Sequence, residues 1–176
     1  MKRLVILVFS LLISTQVLSD TFINTVGSND GVAISGFDTV AFFTEKKAIP
    51  GKPEFEHTYL GAKWLFSSQE NLKLFKENPG KYMPEWGGQC AWCVSENCVS
   101  KKKLNGDFEF VDGKLYLFAF GTKSKNGAKD DFLYGRWNRD MRIRDGEKNW
   151  SELKRKIEEG VIVQPNSSNY TKTRYE

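Results

Sequence analysis

The chain has 176 residues, and its 26 lysines and arginines exceed its 22 aspartates and glutamates by a formal net charge of +4. This length suits one compact domain. The excess of positive charge is too small to indicate a protein that binds nucleic acid or an anionic membrane surface.

The first 19 residues have the zones of a signal peptide. Lys2 and Arg3 precede a short apolar run at residues 4–13, and small residues precede a cleavage site before Asp20. Cleavage there removes two positive charges and lowers the net charge from +4 to +2. We therefore predict a periplasmic or secreted protein, with no stable membrane insertion after cleavage and no nucleic-acid partner.

Behind the signal peptide (residues 1–19) the sequence predicts three regions. Residues 20–31 form a polar entry segment, residues 32–160 form the domain, and residues 161–176 form a polar tail. From Gln164 onward the tail lacks the apolar residues that a packed core requires.

The first half of the domain begins with a possible short strand at residues 32–34. Residues 54–59 alternate between apolar and polar side chains, and residues 62–66 follow as a second strand after a turn. Ser67 then has the position of a helix N-cap, with Glu70 completing a capping box. Its helix ends before Pro79.

The second half contains a helical segment at residues 89–96. Two short strands flank Asp112 and Gly113, a strong signal for a two-residue hairpin turn. Residues 130–141 and 146–159 have the apolar spacing of two further helices, and Gly160 is a typical stop. Hairpins mixed with about four helices, without βαβ alternation, predict a small single domain of the α+β class.

The chain has three cysteines, Cys90, Cys93 and Cys98, in the spacing C-x2-C-x4-C. In an oxidising compartment the simplest interpretation is a structural disulfide between Cys93 and Cys98, with Cys90 buried. A second interpretation is a Cu or Zn site of three thiolates, with His57 as a candidate fourth ligand. A third is a thiol–disulfide redox pair of Cys90 and Cys93. The sequence leaves these alternatives open.

His57 is the single histidine of the chain. It shares the predicted strand face of Phe55 and Tyr59, so a packed core histidine is favoured over a metal ligand. One histidine in this context does not indicate a catalytic triad, and we identify no catalytic residue. Asp38 is favoured for a loop or capping role over acid–base chemistry.

Several segments, in this order, resemble the longer, exported members of the YHS domain family. They are GFDTVAFF at residues 36–43, YLGAKW at 59–64, FSS at 66–68, NPGKY at 78–82, GGQCA at 87–91 and DGKLYL at 112–117. In short YHS domains, cysteines in the first and third of these segments are the plausible soft-metal ligands. Here Ala41 lies near one cysteine position, and Ser67 and Asn71 stand at two others.

The resemblance implies an accessory or binding module that is not an enzyme and that handles a soft metal ion such as copper. Serine is a poor ligand for Zn²⁺ or Cu(I), so the substitutions argue against the metal site of the short domains. The alternatives are a thiol–disulfide redox protein that uses Cys90 and Cys93, or a domain that binds a ligand or partner without metal.

Overall fold

The computed structural model describes residues 22–28, 30–119 and 139–162. The predicted signal peptide, most of the helix predicted at residues 130–141 and nearly all of the polar tail lie outside this part of the chain. Within it the predicted α+β class is confirmed: the chain forms two antiparallel hairpins and five helices. No helix within these ranges is both long enough and apolar enough to span a bilayer.

The first hairpin pairs β1 (Lys52–Tyr59) with β2 (Ala62–Phe66), as the alternating pattern predicts. Leu60 and Gly61 turn the chain with φ values of 48° and 73°. Both turn residues are therefore left-handed, as a tight two-residue hairpin turn requires. Every second residue of β2 is buried, so this strand presents one face to the core.

The second hairpin pairs β3 (Asp107–Val111) with β4 (Lys114–Phe118). Its turn residues, Asp112 and Gly113, have φ values of 50° and 79°. The hairpin predicted around this pair is confirmed, since aspartate and glycine both tolerate the left-handed conformation.

Five helices connect and cover the hairpins. In chain order they are α1 (Thr39–Thr44), α2 (Gln69–Glu77), α3 (Pro79–Tyr82), α4 (Ala91–Ser95) and α5 (Arg139–Glu158). Two 3-10 segments, Ala33–Gly36 and Glu85–Gly88, contain residues with positive φ. The predicted stop at Gly160 is confirmed, because this residue has a φ of 69° and its N–H bonds to a carbonyl of the last turn.

Three local predictions were wrong. Residues 32–34 lead into a 3-10 segment rather than a strand, and only Val32 makes a β-bridge, to Lys63. The cap of α2 is Ser68, whose hydroxyl accepts from Asn71 N–H, and not Ser67. The break predicted between residues 141 and 146 is absent, because α5 continues through it.

The core has two adjoining apolar clusters. The larger one surrounds Phe75, whose ring lies 5.3 Å from the ring of Trp64 and 5.1 Å from that of Phe66. The smaller one lies between α5 and β4 and contains Tyr116 and Leu153. Helix α4 separates the clusters and contributes side chains to both.

The entry segment is part of this core. Asn24 is fully buried, and its side-chain amide donates to the carbonyl of Gly88 at 3.0 Å. Its backbone N–H donates to Gly87, and its carbonyl accepts from Ile34. The segment thus joins the two 3-10 segments, although its composition predicted only a polar lead into the domain.

The carboxylate of Asp38 is the main polar junction of the fold. Asp38 is fully buried and caps α1 by accepting the N–H groups of Val40 and Ala41 at 2.9 and 3.3 Å. Its other oxygen accepts the N–H of Ser67 at 2.7 Å, the hydroxyl of Ser67 at 2.6 Å and the amide of Asn71 at 2.7 Å. One side chain therefore ties together α1, the end of β2 and α2.

We expect Asp38→Asn to lower the free energy of unfolding by about 3 kcal/mol, because an NH2 group replaces one of the two buried oxygens that accept the five hydrogen bonds. Chemical denaturation measures the change. The control is Asp112→Asn, an exposed turn position that suits asparagine, where a change below about 0.5 kcal/mol is expected. Equal effects of the two substitutions would contradict the role of Asp38.

The two neighbouring serines give a sharper test. Ser67→Ala should couple to Asp38→Asn by at least about 0.5 kcal/mol in a double-mutant cycle, because the two side chains share a bond. Ser68→Ala should cost about 1 kcal/mol through the lost cap and should be additive with Asp38→Asn. If Ser67→Ala were also additive with Asp38→Asn, the hydrogen-bond network around Asp38 would be refuted.

Gly146 tests the packing between α5 and the 3-10 segment Glu85–Gly88. In an exposed helix, alanine is more stable than glycine by about 1 kcal/mol. Here an added Cβ would lie 2.3 Å from the ring of Trp86. We expect Gly146→Ala to destabilise the protein by about 2 kcal/mol, whereas Ser151→Ala on the exposed face of α5 should change stability little. Stabilisation by Gly146→Ala in thermal unfolding would contradict this packing.

Candidate functional site: a cluster of three thiols

The three cysteines are brought together by the ends of one short helix. Cys90 is the N-cap residue of α4, and Cys93 follows in its first turn. Residues three apart at this point of a helix lie on the same side. The backbone of Cys90 also forms a parallel β-bridge with Leu117, which fixes the start of α4 against β4.

The C-terminal end of α4 brings the third cysteine back to the second. Asn97 adopts a left-handed conformation with φ of 57°. The N–H of Cys98 bonds to the carbonyl of Cys93 at 2.9 Å, and the N–H of Asn97 bonds to that of Val94 at 3.0 Å. This is the Schellman motif, in which the side chain after the left-handed residue contacts the last full turn of the helix. The motif explains why Cys98 meets Cys93.

The cluster runs from the core to the surface. Cys90 and Cys93 are buried and Cys98 is exposed, and all three are free thiols. The Cys93 side chain has hydrogen bonds with both of the others. Its S–H group carries a single proton, so Cys93 donates to one neighbour at a time. The exposed sulfur is therefore linked to a buried one through a central thiol.

These contacts separate the acidities of the three thiols. The hydrogen bond from Cys93, helped by the N–H of Ala119 at 3.4 Å, lowers the pKa of Cys90 to about 7 against the opposing effect of burial. The pKa of Cys93 is raised by its hydrogen bonds to Cys90 and Cys98 and by burial. The pKa of Cys98 is lowered, chiefly by the hydrogen bond with Cys93. Of the three thiols, Cys93 therefore holds its proton most firmly.

Helix α5 holds α4 in place. The side-chain amide of Asn149 donates to the carbonyls of Val94 and Ser95, each at 3.1 Å. These are C-terminal carbonyls of α4, which have no partner within the helix. Arg142 pairs with Glu96 and lies 4.2 Å from the ring of Trp92. A helix of five residues would not be stable alone, so these contacts position the cysteines.

His57 lies on β1, opposite Trp64, and its ring is 6.4 Å from that of Phe75. Partial burial, and then the charge of Lys76, lowers the pKa of its imidazole. Across the described ranges, no group of three or more histidine, cysteine or acidic side chains is arranged to hold a metal ion. The structure therefore brings the three cysteines near one another but does not bring His57 to them.

The positions that correspond to the cysteines of short YHS domains also do not fit a metal. Ser67 and Asn71 both direct hydrogen-bond donors to the buried Asp38 carboxylate, and Asn71 also donates to Ser67 at 3.3 Å. Ala41 offers only a methyl group. Thiolate and imidazole are the ligands that Zn²⁺ and Cu(I) prefer. A hydrogen-bonded carboxylate occupies this place in the fold, and no metal chemistry is assigned to it.

Two features of the site were missed by sequence reasoning. Asn97, just after an apolar stretch, is a recognisable C-terminal cap residue, and it would have indicated the contact between Cys93 and Cys98. The support from Asn149 and Arg142 depends on how α5 packs against α4, and no local pattern signals it.

Comparison with protein families gives one match, to the YHS domain, over residues 40–86. The matched segment runs from α1 through the first hairpin to the 3-10 segment Glu85–Gly88 and stops before the cysteines. Searches of curated proteins and of solved structures give no match. The order of motifs and the family match agree, and residues 40–86 of the chain form a YHS domain.

Proposed function

We propose that this protein is an exported, non-enzymatic accessory module that exchanges disulfides through Cys98 and Cys93. The observation that supports this proposal is the Schellman motif, which holds the exposed Cys98 thiol against the buried Cys93 thiol. An accessible thiol of lowered pKa beside a second thiol is the arrangement that disulfide exchange needs.

The exchange has two steps. The Cys98 thiolate attacks one sulfur of an external disulfide, forms a mixed disulfide and releases one thiolate. Cys93 then loses its proton and attacks the Cys98 sulfur, which releases the second thiolate. The protein loses two electrons and two protons, and the external disulfide becomes two thiols. Because Cys93 has a raised pKa, little of it is thiolate, and its attack on the Cys98 sulfur is the slower step.

The predicted export supports this chemistry, because disulfides are available in oxidising compartments. The reaction is stoichiometric: the module takes up or gives back one disulfide, and no catalytic triad is needed. Exposure of Cys98 separates this role from a purely structural disulfide, which is buried and resists reduction.

Soft-metal handling is the second candidate. The observation in its favour is the contact of three sulfurs, since thiolates select Cu(I) and Zn²⁺. Against it, the described residues contain no group of three or more histidine, cysteine or acidic side chains arranged to hold a metal ion, and His57 packs against Phe75. Elemental analysis of protein purified with its thiols reduced separates the candidates: stoichiometric copper or zinc would favour the metal.

Titration with oxidised glutathione tests the exchange. We expect the reduced protein to lose two thiols and form a disulfide between Cys93 and Cys98, which reduced glutathione reverses. Cys93→Ser should stop at the mixed disulfide on Cys98. Cys98→Ser should react far more slowly, because the remaining thiols are buried. Exchange that is as fast in Cys98→Ser as in the natural chain would overturn the proposal.

Asn97 gives a test of the geometry that leaves every cysteine in place. Asn97→Val puts a β-branched residue into the left-handed conformation, at a cost of about 1–2 kcal/mol. If the motif aligns the thiols, the equilibrium constant for the disulfide between Cys93 and Cys98 should fall about tenfold. Asn97→Gly keeps the conformation accessible and should keep the constant. The same constant in both variants would show that the motif is not needed.

A further inference from the structure

The exchange proposed above leaves one thiol of the cluster unused. Cys90 is fully buried, its sulfur accepts the N–H of Ala119 at 3.4 Å, and its side chain contacts that of Cys93. Cys93 therefore has a thiol neighbour on each side, one in the core and one at the surface. A disulfide through Cys93 can involve either neighbour.

We propose that the disulfide migrates inward, so that Cys90 displaces Cys98 from Cys93 and the oxidised protein carries a buried Cys90–Cys93 bond and a free, exposed Cys98 thiol. This migration depends on the exchange proposed above, because that exchange forms the Cys93–Cys98 bond with which it starts. The migration adds a third cysteine to the exchange, and it leaves the oxidised protein with a free thiol at its surface.

The migration balances without any other reactant. The Cys90 thiolate attacks the Cys93 sulfur, the new bond joins Cys90 to Cys93, and the electron pair of the old bond leaves on Cys98. One disulfide breaks and one forms, so the oxidation state of the protein is unchanged. Cys98 then takes up a proton from solvent. Residues three apart at the start of a helix lie within the Cα separation of about 4.4–6.8 Å that a disulfide requires.

The environment of Cys90 suits it to the attack. In the reduced protein the pKa of Cys90 is lowered to about 7, first of all by its hydrogen bond with Cys93, and an attacking thiol works best when its pKa is near the ambient pH. Once Cys93 is oxidised it no longer donates a hydrogen bond. The N–H of Ala119 and the N–H groups of Cys93 and Trp92 remain to stabilise the Cys90 thiolate.

Burial sets the direction. Before migration a thiolate on Cys90 is buried, and after migration the free thiolate is the exposed Cys98. A buried charge loses hydration that an exposed charge keeps. Release of Cys98 is therefore favoured over its return. The disulfide is then shielded in the core, and the surface again presents one nucleophilic thiol that can enter a second mixed disulfide with a small-molecule thiol or disulfide.

Timed alkylation of the full chain tests the migration. Reduced protein is mixed with one equivalent of oxidised glutathione, and native samples are treated with N-ethylmaleimide at successive times. We expect Cys98 to be unreactive at first, while it is in the mixed or the Cys93–Cys98 disulfide. It should become fully alkylated later without any gain in total thiols. In oxidised Cys90→Ser, Cys98 should stay unreactive.

Peptide mapping identifies the bond. Glu96 separates Cys93 from Cys98 in sequence, so among the intramolecular disulfides only Cys90–Cys93 lets cleavage after glutamate in denatured, alkylated protein release the Cys98 peptide. We expect a linked pair of peptides early and separate peptides late. If Cys90→Ser does not fold, Cys90→Ala replaces it, and the mapping of the natural chain needs no variant.

The outcomes separate the two proposals. A stable Cys93–Cys98 bond with Cys98 protected at all times would overturn the migration and leave the exchange intact. Failure of both the natural chain and Cys90→Ser to form any intramolecular disulfide would overturn the exchange itself. The migration would also be overturned if Cys98 were alkylated from the first sample and the Cys90–Cys93 disulfide formed at the same rate in Cys98→Ser. Cys98 would then play no part in forming that disulfide.

Discussion

The Asp38 carboxylate is fully buried, and it accepts five hydrogen bonds from α1, from α2 and from Ser67 at the end of β2. A buried charge in an apolar core is tolerated only when its hydrogen bonds replace the lost hydration. Each of the five donors must therefore stay in place, because together they replace the hydration of the carboxylate. This constraint fixes the first hairpin against the helices, and with it the frame on which the second hairpin and α4 are placed.

The same network occupies the positions at which this chain differs from short YHS domains. Where those domains have cysteines, this chain has donors that serve a carboxylate. A metal ion and a hydrogen-bonded carboxylate can both cross-link adjacent elements, one through coordination and the other through charge-assisted hydrogen bonds. In this chain the cross-link is built from side chains alone, and the cysteines lie in another helix beyond the matched domain.

The thiol cluster depends on a different set of forces. Helix α4 is too short to be stable by itself. It persists because Asn149 and Arg142 of α5 satisfy its C-terminal groups and because its apolar side chains enter both core clusters. The separation of thiol acidities follows from this placement: hydrogen bonds with its two neighbours, and then burial, raise the pKa of the central thiol, and the same hydrogen bonds lower the pKa of the flanking ones. Contacts from residues that are distant in sequence thus determine the acidity of the three thiols.

The sequence by itself determined the elements whose signals are local. Asp112 and Gly113 specify a hairpin because both accept positive φ, the alternation in β1 and β2 specifies a half-buried pair, and Gly160 ends α5. The sequence also predicted the α+β class and the family. It placed the cap of α2 one residue early, because Ser67 and Ser68 are equivalent locally and only the distant Asp38 distinguishes them.

Tertiary structure decided the rest. Spacing showed that three cysteines are near one another in the chain, but not that Cys93 lies between the other two or that one is exposed and two are buried. Those facts depend on the left-handed Asn97 and on the packing of α4 between two clusters. The strand pattern favoured a packed core position for His57 but did not identify its aromatic neighbour, because such a pattern gives the face of a residue and not its neighbour across the domain. Long-range contacts are not encoded in any short window, and they set the chemistry of this site.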